Sequence, residues 1–439
     1  HLASRRQRQM CIRDSSNWMD KRNFIKTLGA LSLSPLASAN RFNKLELISD
    51  KLPYIKNDEK LWETVRSHYT LKNEYINLES GYYNIIPNPV LNHFIDHVKH
   101  VNIEGSYYMR NSLNDDKDRV TLELSELVGS TPDQIAITRN ATESLDLIIS
   151  GFPWKKGDEA IYAKQDYGTM KEMFEQISNR YGVVNKIISI PNHPKNDKEI
   201  VSLYESQITR KTKLIMVCHM INITGQILPI KKICKMAHSY GVEVLVDGAH
   251  CVGHFNFSID ELNCDYYGSS LHKWLATPLG AGLLYVNKKS THKIWPLLAN
   301  GNINKKDIKR LNHIGTHPVH TDLAISNSID YLNWIGIERK EKRMRFLQRY
   351  WSDKLRNQKN IVVNTPEDIT RSCGIGNVGV TNVSPSQMSN LLFDKYNIFT
   401  VAIDYANVKG CRISPNIFTT IKELDKFVDS VKEISKTLT

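Results

Sequence analysis

The strongest constraint on this chain is an alternation of two patterns that runs from residue 76 to residue 290. Short apolar or β-branched runs appear at IAIT (135), EAIYA (159), KIISI (186), KLIMVC (213), VEVLVD (242) and GLLYV (282). Between several of them lie ESLDLIISGF, MKEMFEQISNRYG and IKKICKMAHSYG. Their apolar residues recur at helical spacing, and each ends at or near a glycine, as a helix C-terminus often does. Strands this uniformly apolar are buried on both faces. The pattern therefore predicts an α/β fold in which a mainly parallel sheet is sandwiched by helices. Sheets of that kind take their ligands beyond the carboxyl ends of the strands.

From about residue 320 the texture changes. DLAISNSIDYLNWIG and ERKEKRMRFLQRYWSDKLRNQ read as helices, IVVN, GIGNVGV and IFTVAI as strands, and TTIKELDKFVDSVKEISKTL as a closing amphipathic helix. Thr420 and Glu423 stand at capping-box spacing at its start. The expected organisation is a large domain over 76–318 and a smaller C-terminal α+β domain over 319–439, preceded by a helical segment over 40–75. Residues 1–18 read as a non-native leader, since RRQRQMCIRDS has the texture of translated sequencing adapter. From Met19 the order is a basic pair, a short apolar stretch and a small-residue end at Ala37-Ser38-Ala39, the layout of an export signal over 19–39. Lys21 stands where a twin-arginine signal has its first arginine. The expectation is a periplasmic protein, with the cytoplasm as the alternative. No segment is long and apolar enough for a membrane helix.

The formal net charge of +12 raises the question of an acidic partner. The first 39 residues hold 7 Lys/Arg and 2 Asp/Glu, which accounts for +5 and leaves +7 on the rest. No basic stripe interleaved with aromatics follows, so the charge does not point to nucleic acid. The seven cysteines include no CxxC pair, and several sit inside apolar runs. They read as reduced core residues.

The chemistry concentrates around GSSLHKW, residues 268–274. A lysine so close to an apolar run reaches water, pairs with an acid, or is chemically used. VEVLVD ends at Asp247 and is followed at once by GAHCVGH, which carries His250. Alone, Asp247 reads equally as a turn residue. Together, Asp247, His250 and Lys273 match what pyridoxal 5'-phosphate requires. The cofactor needs a lysine amine for its aldehyde and a carboxylate for its ring nitrogen, approaching from opposite ends of one flat ring. It also needs a phosphate site. RNATES, residues 139–144, follows a strand and opens a helix, so its backbone amides and the Thr142 hydroxyl form either an anion site or an ordinary N-cap.

The order NATESLDL, DYG, HMINITGQILPI, VDGAH, SSLHKW, GTHP and CRISP resembles the class V aminotransferase family of fold-type I pyridoxal-phosphate enzymes. The likeness is to its isopenicillin N epimerase-like branch, related to the cysteine desulfurases. The resemblance implies an aminotransferase, epimerase or carbon–sulfur lyase acting on an amino acid or amino compound. Lys273 would carry the cofactor, Asp247 would face the ring nitrogen, and His250 would lie beside the ring. Asn222 would bond the ring oxygen, Tyr167 would stack on the cofactor, and Ala141, Thr142, Ser270 and His272 would surround the phosphate. Thr316 would reach the phosphate of a neighbouring subunit, which implies a homodimer with shared sites. Arg412 would grip the substrate carboxylate; Tyr83, in SGYYN, is a substrate-pocket candidate on the residues alone, where a plain turn is the other reading. Tyr82, Asn84 and Arg110 are weaker pocket candidates.

The chain departs from the desulfurases in one respect. Where they place a nucleophilic cysteine on a loop, VAIDYANVKGCRISP is shortened and its Cys411 lies within the strand. Desulfurase-like sulfur transfer stays as an alternative through Cys251 or Cys373. A second alternative is a metal-dependent hydrolase using His250, Cys251 and His254, although Gly253 argues for a turn there. A third is an exported binding protein on a degenerate version of the fold.

Overall fold

Thirteen strands and the helices between them are described in a computed structural model that covers residues 59–299 and 304–437. The expected leader and export signal, and most of the helical segment before residue 76, lie outside the described residues. Strand β1 (Ile76–Asn77) comes first. It is followed by β2 (Ile135–Thr138), β3 (Glu159–Ala163), β4 (Val184–Ile188), β5 (Thr212–Cys218), β6 (Glu243–Asp247), β7 (Tyr266–Ser270) and β8 (Gly282–Val286). Strands β2 to β8 form one sheet in the order β2-β8-β7-β6-β5-β3-β4. Strand β8 is antiparallel to both of its neighbours, and the other pairings are parallel.

The expected strands are present, together with one the sequence did not announce. YYGSS forms β7, fully buried between β6 and β8. With one glycine and two serines it carries no β-branched run, yet it is the strand that delivers Lys273. Its composition follows from crowding. A Cβ at Gly268 would come within 2.9 Å of Leu145 on the helix packed against it.

Helices Ala141–Gly151 and Gly168–Tyr181 lay Leu145, Ile148, Met170 and Phe174 onto Leu214 and Leu245 of the sheet, forming one core. Each such buried side chain contributes about 1.5–3 kcal/mol relative to exposure. The second helix stops at Gly182, whose φ of 71° suits the left-handed cap.

A second sheet uses β9 (Ile361–Val363), β10 (Gly376–Val380), β12 (Val401–Tyr405) and β13 (Val408–Ile413), all antiparallel, in the order β12-β13-β10-β9. Helices Ile337–Leu355 and Ile421–Thr437 cover it, burying Trp351 and Phe427. Thr420 and Glu423 make the capping box: the Glu423 amide donates to the Thr420 hydroxyl at 3.2 Å, and the Thr420 amide donates to the Glu423 carboxylate at 2.7 Å. The segment that starts at β1 belongs to this second core. β1 pairs in parallel with β11 (Ile398–Phe399), and Leu78 is buried beside Ile413. That path brings Glu79 into register with Ser414, next to the end of β13. No helix among the described residues is long and apolar enough to cross a membrane.

Candidate active site

Strands β6 and β7 run parallel and end side by side, and their carboxyl ends open onto a cavity of about 380 Å³. Asp247 is the last residue of β6. Its Oδ1 accepts the Ala249 amide at 3.0 Å, whereas the recorded partner of Oδ2 is the weak Cys218 thiol at 3.9 Å. Burial raises the Asp247 pKa, opposed by the Ala249 amide and the charge of Lys273. A cationic N–H beside Oδ2 would offset that burial.

Lys273 sits in the turn after β7 and lines the same cavity. Its Nζ lies 3.1 Å from His250 Nε2. Burial lowers its pKa to about 8, with Asp247 pulling the other way and Arg412 adding to the fall. His250 is lowered well below the ordinary histidine value, first by burial and then by Lys273 and Arg412. The indole Nε1 of Trp274 donates to His250 Nδ1 at 3.3 Å.

The helix Ala141–Gly151 begins against the end of β7 and also lines the cavity. Asn140 caps it, accepting the Glu143 amide at 2.9 Å, and the Ala141 amide donates to the Ser270 hydroxyl at 2.9 Å. Ala141, Thr142, Ser270 and His272 all line the cavity here. The Nδ1 atom of His272 is buried without a hydrogen-bond partner. The positive end of a helix, the Thr142 and Ser270 hydroxyls and an imidazole nitrogen without a partner suit a phosphate. The groups lining the cavity therefore fit pyridoxal phosphate: a helix start with hydroxyls for the phosphate, the Lys273 amine for the aldehyde, and an Asp247 oxygen with little else to bind for the ring nitrogen.

Of the other expected residues, Tyr83, Tyr167, Asn222 and Arg412 also line the cavity, as does Tyr82. Asn84 is buried just behind, where its amide donates to the His272 carbonyl at 3.3 Å. Thr316 and Arg110 are exposed and lie outside the cavity lining of their own chain. Sequence reasoning gave no role to Arg139, Cys218, Met220 or Leu279, which also line the wall. RNATES carried Arg139 in plain view, but its guanidinium is held by Glu143 at 3.0 Å.

Glu79 was also missed. It grips Arg412 through two bonds, Nη2 to Oε1 at 2.6 Å and Nε to Oε2 at 3.0 Å, with both side chains buried. Nη1 makes only a long contact of 3.4 Å to the Asn222 carbonyl. The acid in NLES, ahead of the glycine, was the available signal.

The zinc alternative asks for lone pairs that are already in use. His254 Nδ1 lies 2.8 Å from the His250 carbonyl, and its Nε2 accepts the Gly374 amide at 2.8 Å. Both His250 nitrogens are engaged as described above. Cys251 is fully buried, and burial raises its thiol pKa. The described residues hold no cluster of three metal-ligating side chains. That reading is overturned.

Comparison with known proteins shows the family and the fold. The family model described as Aminotransferase class-V matches residues 85–427. Isopenicillin N epimerase of Streptomyces clavuligerus is 24% identical over 391 residues, covering 85% of this chain and 98% of that protein. The apo cysteine desulfurase of Thermococcus onnurineus NA1 superposes with a TM-score of 0.77 at 20% identity, over 88% of this chain and 100% of that one. A lysine-to-alanine variant of C-DES with glycine covalently linked to its PLP cofactor gives 0.75 at 18% identity, over 84% and 99%.

Proposed function

Because this chain belongs to the class V aminotransferases, pyridoxal-phosphate enzymes of amino-acid chemistry, we propose that Lys273 carries the cofactor and moves the Cα proton of an amino-acid substrate. The observation that carries the reading is that Lys273, Asp247 and the helix start at Ala141 and Thr142 line one cavity. When bound, pyridoxal phosphate supplies an aldehyde for amines and a ring that withdraws electrons from the carbon next to nitrogen.

The chain's own groups do the rest. Ala141 and Thr142 at the helix start hold the phosphate, with Ser270 and His272 beside them. Asp247 would offer Oδ2 to the ring nitrogen and favour its protonated form. Lys273 Nζ, with a pKa of about 8, is basic enough to take the Cα proton and acidic enough to return it near neutral pH. Tyr167 and Asn222, which line the cavity, would help hold the ring of the cofactor. Arg412 offers Nη1 to the substrate carboxylate, since Glu79 already holds its Nε and Nη2.

Sulfur transfer through a cysteine nucleophile is not favoured here. The six described cysteines are buried, and burial lifts the Cys373 and Cys411 thiols to about 12. Cys218 lines the cavity, but burial and the neighbouring Asp166 and Asp247 carboxylates hold it well above the thiol range.

A second copy of the chain completes the reading. Leu91, Ile95 and Val98 form an exposed apolar stripe at helical spacing, continued by Ile103 and Tyr107 beside a kink at Gly105. Exposed Thr316 suits a contact across such an interface. The test of function is a panel of amino acids, with matching amides, added to the cofactor-loaded protein. Spectral change with free amino acids, weaker with amides, and release of keto acid, ammonia or sulfide is expected. Silence toward every amino compound would end the proposal.

A further inference from the structure

We propose that Trp274 is a positioning residue that fixes the tautomer of His250 and thereby favours the unprotonated form of the Lys273 amine, the form that condenses with the cofactor aldehyde. The inference rests on the reading of Lys273 as the cofactor lysine. It starts from hydrogen-bond bookkeeping. An indole N–H is a donor only, so the 3.3 Å contact from Trp274 Nε1 makes His250 Nδ1 an acceptor. A neutral imidazole with a bare Nδ1 carries its proton on Nε2. That N–H points at Lys273 Nζ, 3.1 Å away, and an ammonium has no lone pair to receive it. The geometry is therefore satisfied by the free amine.

The indole cannot easily turn away from this task. Its ring stacks on His254, with centroids 3.8 Å apart and planes 19° apart. Lys340 Nζ donates to the Trp274 carbonyl at 2.5 Å. Gly253, at φ +75°, lets its backbone approach so closely that a Cβ there would meet the backbone of Leu275 at 2.7 Å.

Other groups act on Lys273 as well. Asp247 at the end of β6, Glu79 and Cys218 favour its charged form, whereas Arg412 on β13 opposes it. His272, next to it in the turn, is neutral, with a pKa that burial lowers to about 4. Burial is the largest influence and also favours the free amine. The Trp274 bond adds a directional element to that balance, because it denies the ammonium its nearest acceptor.

The step at stake is balanced simply. The amine nitrogen bonds to the aldehyde carbon, and the aldehyde oxygen leaves as water with the two amine hydrogens. Only the unprotonated amine starts it.

The test uses the cofactor-free full chain with ¹⁵N-labelled histidine. Nitrogen NMR should show the His250 pair, assigned by its loss in His250→Gln, with a protonated Nε2 and a bare Nδ1. Trp274→Phe keeps an aromatic ring against His254 but removes the donor. In that variant Nδ1–H should appear, and Nε2 becomes an acceptor for the ammonium. Uptake of pyridoxal phosphate at pH 7 should then slow about tenfold, the equivalent of one pH unit. A wild-type spectrum with Nδ1 protonated would overturn the proposal whether or not the variant folds. So would a folded Trp274→Phe whose tautomer and uptake profile are unchanged. If the wild type took up no cofactor while the tautomer came out as stated, the Lys273 reading would fail instead, and the two failures stay distinguishable.

Discussion

Arg412 shows what a single buried residue has to reconcile. A buried guanidinium such as that of Arg412 is costly without a partner. Glu79 supplies that partner: the side chains of the pair are only 4% and 7% exposed, and Ser414 and the Tyr82 amide bond the carboxylate further. The arginine is thus held in one orientation with Nη1 to spare. Arg412→Ala strands a buried carboxylate and should cost about 3–5 kcal/mol in urea unfolding. The double variant Glu79→Gln with Arg412→Met should recover at least half of that, while both variants lose affinity for amino acids. If the double variant were no more stable than Arg412→Ala, the stranded charge would not be the cause.

At the level of elements, the site depends on where strands stop and on how closely two turns meet. The turn after β5 carries Asn222 and then Gly225, whose φ is +75°. A Cβ at Gly225 would stand 2.0 Å from the Ile375 carbonyl oxygen, just before β10. Gly225→Ala therefore meets both an unfavourable backbone conformation and a clash. It should lose about 2 kcal/mol or more of stability, read by thermal melts, together with weaker retention of the cofactor. A variant as stable as the wild type would show that this contact yields freely. The same scale separates what was legible in the sequence from what was not. β5 and β6 announce themselves because strands buried on both faces must be apolar, and Asp247 stands out against them. β7 hides because the helix packed on it admits only small residues at Gly268, so packing removed the pattern that marks a strand. Asp247, Lys273 and the RNATES helix start could be read locally. The Glu79–Arg412 pair could not, since its members lie 333 residues apart and meet only once β1 joins β11.

For the whole molecule, the apolar stripe on helix Asn88–Asn111 is the feature a lone subunit leaves unexplained. Ile103 and Tyr107 are 80% and 66% exposed, a burden that a second copy of the chain would relieve. Sedimentation should report a dimer, and Ile95→Asp combined with Val98→Asp should yield a monomer that holds the cofactor less tightly. A monomeric wild type with full cofactor retention would remove the dimer from the account. The claim beneath all of this is a covalent bond to one nitrogen. Borohydride reduction of the cofactor-loaded enzyme, followed by digestion and peptide mass spectrometry, tests it most directly. The account predicts a pyridoxyl-phosphate adduct on the peptide containing Lys273 and none in Lys273→Ala; an adduct on a different lysine, or no adduct at all, would contradict it.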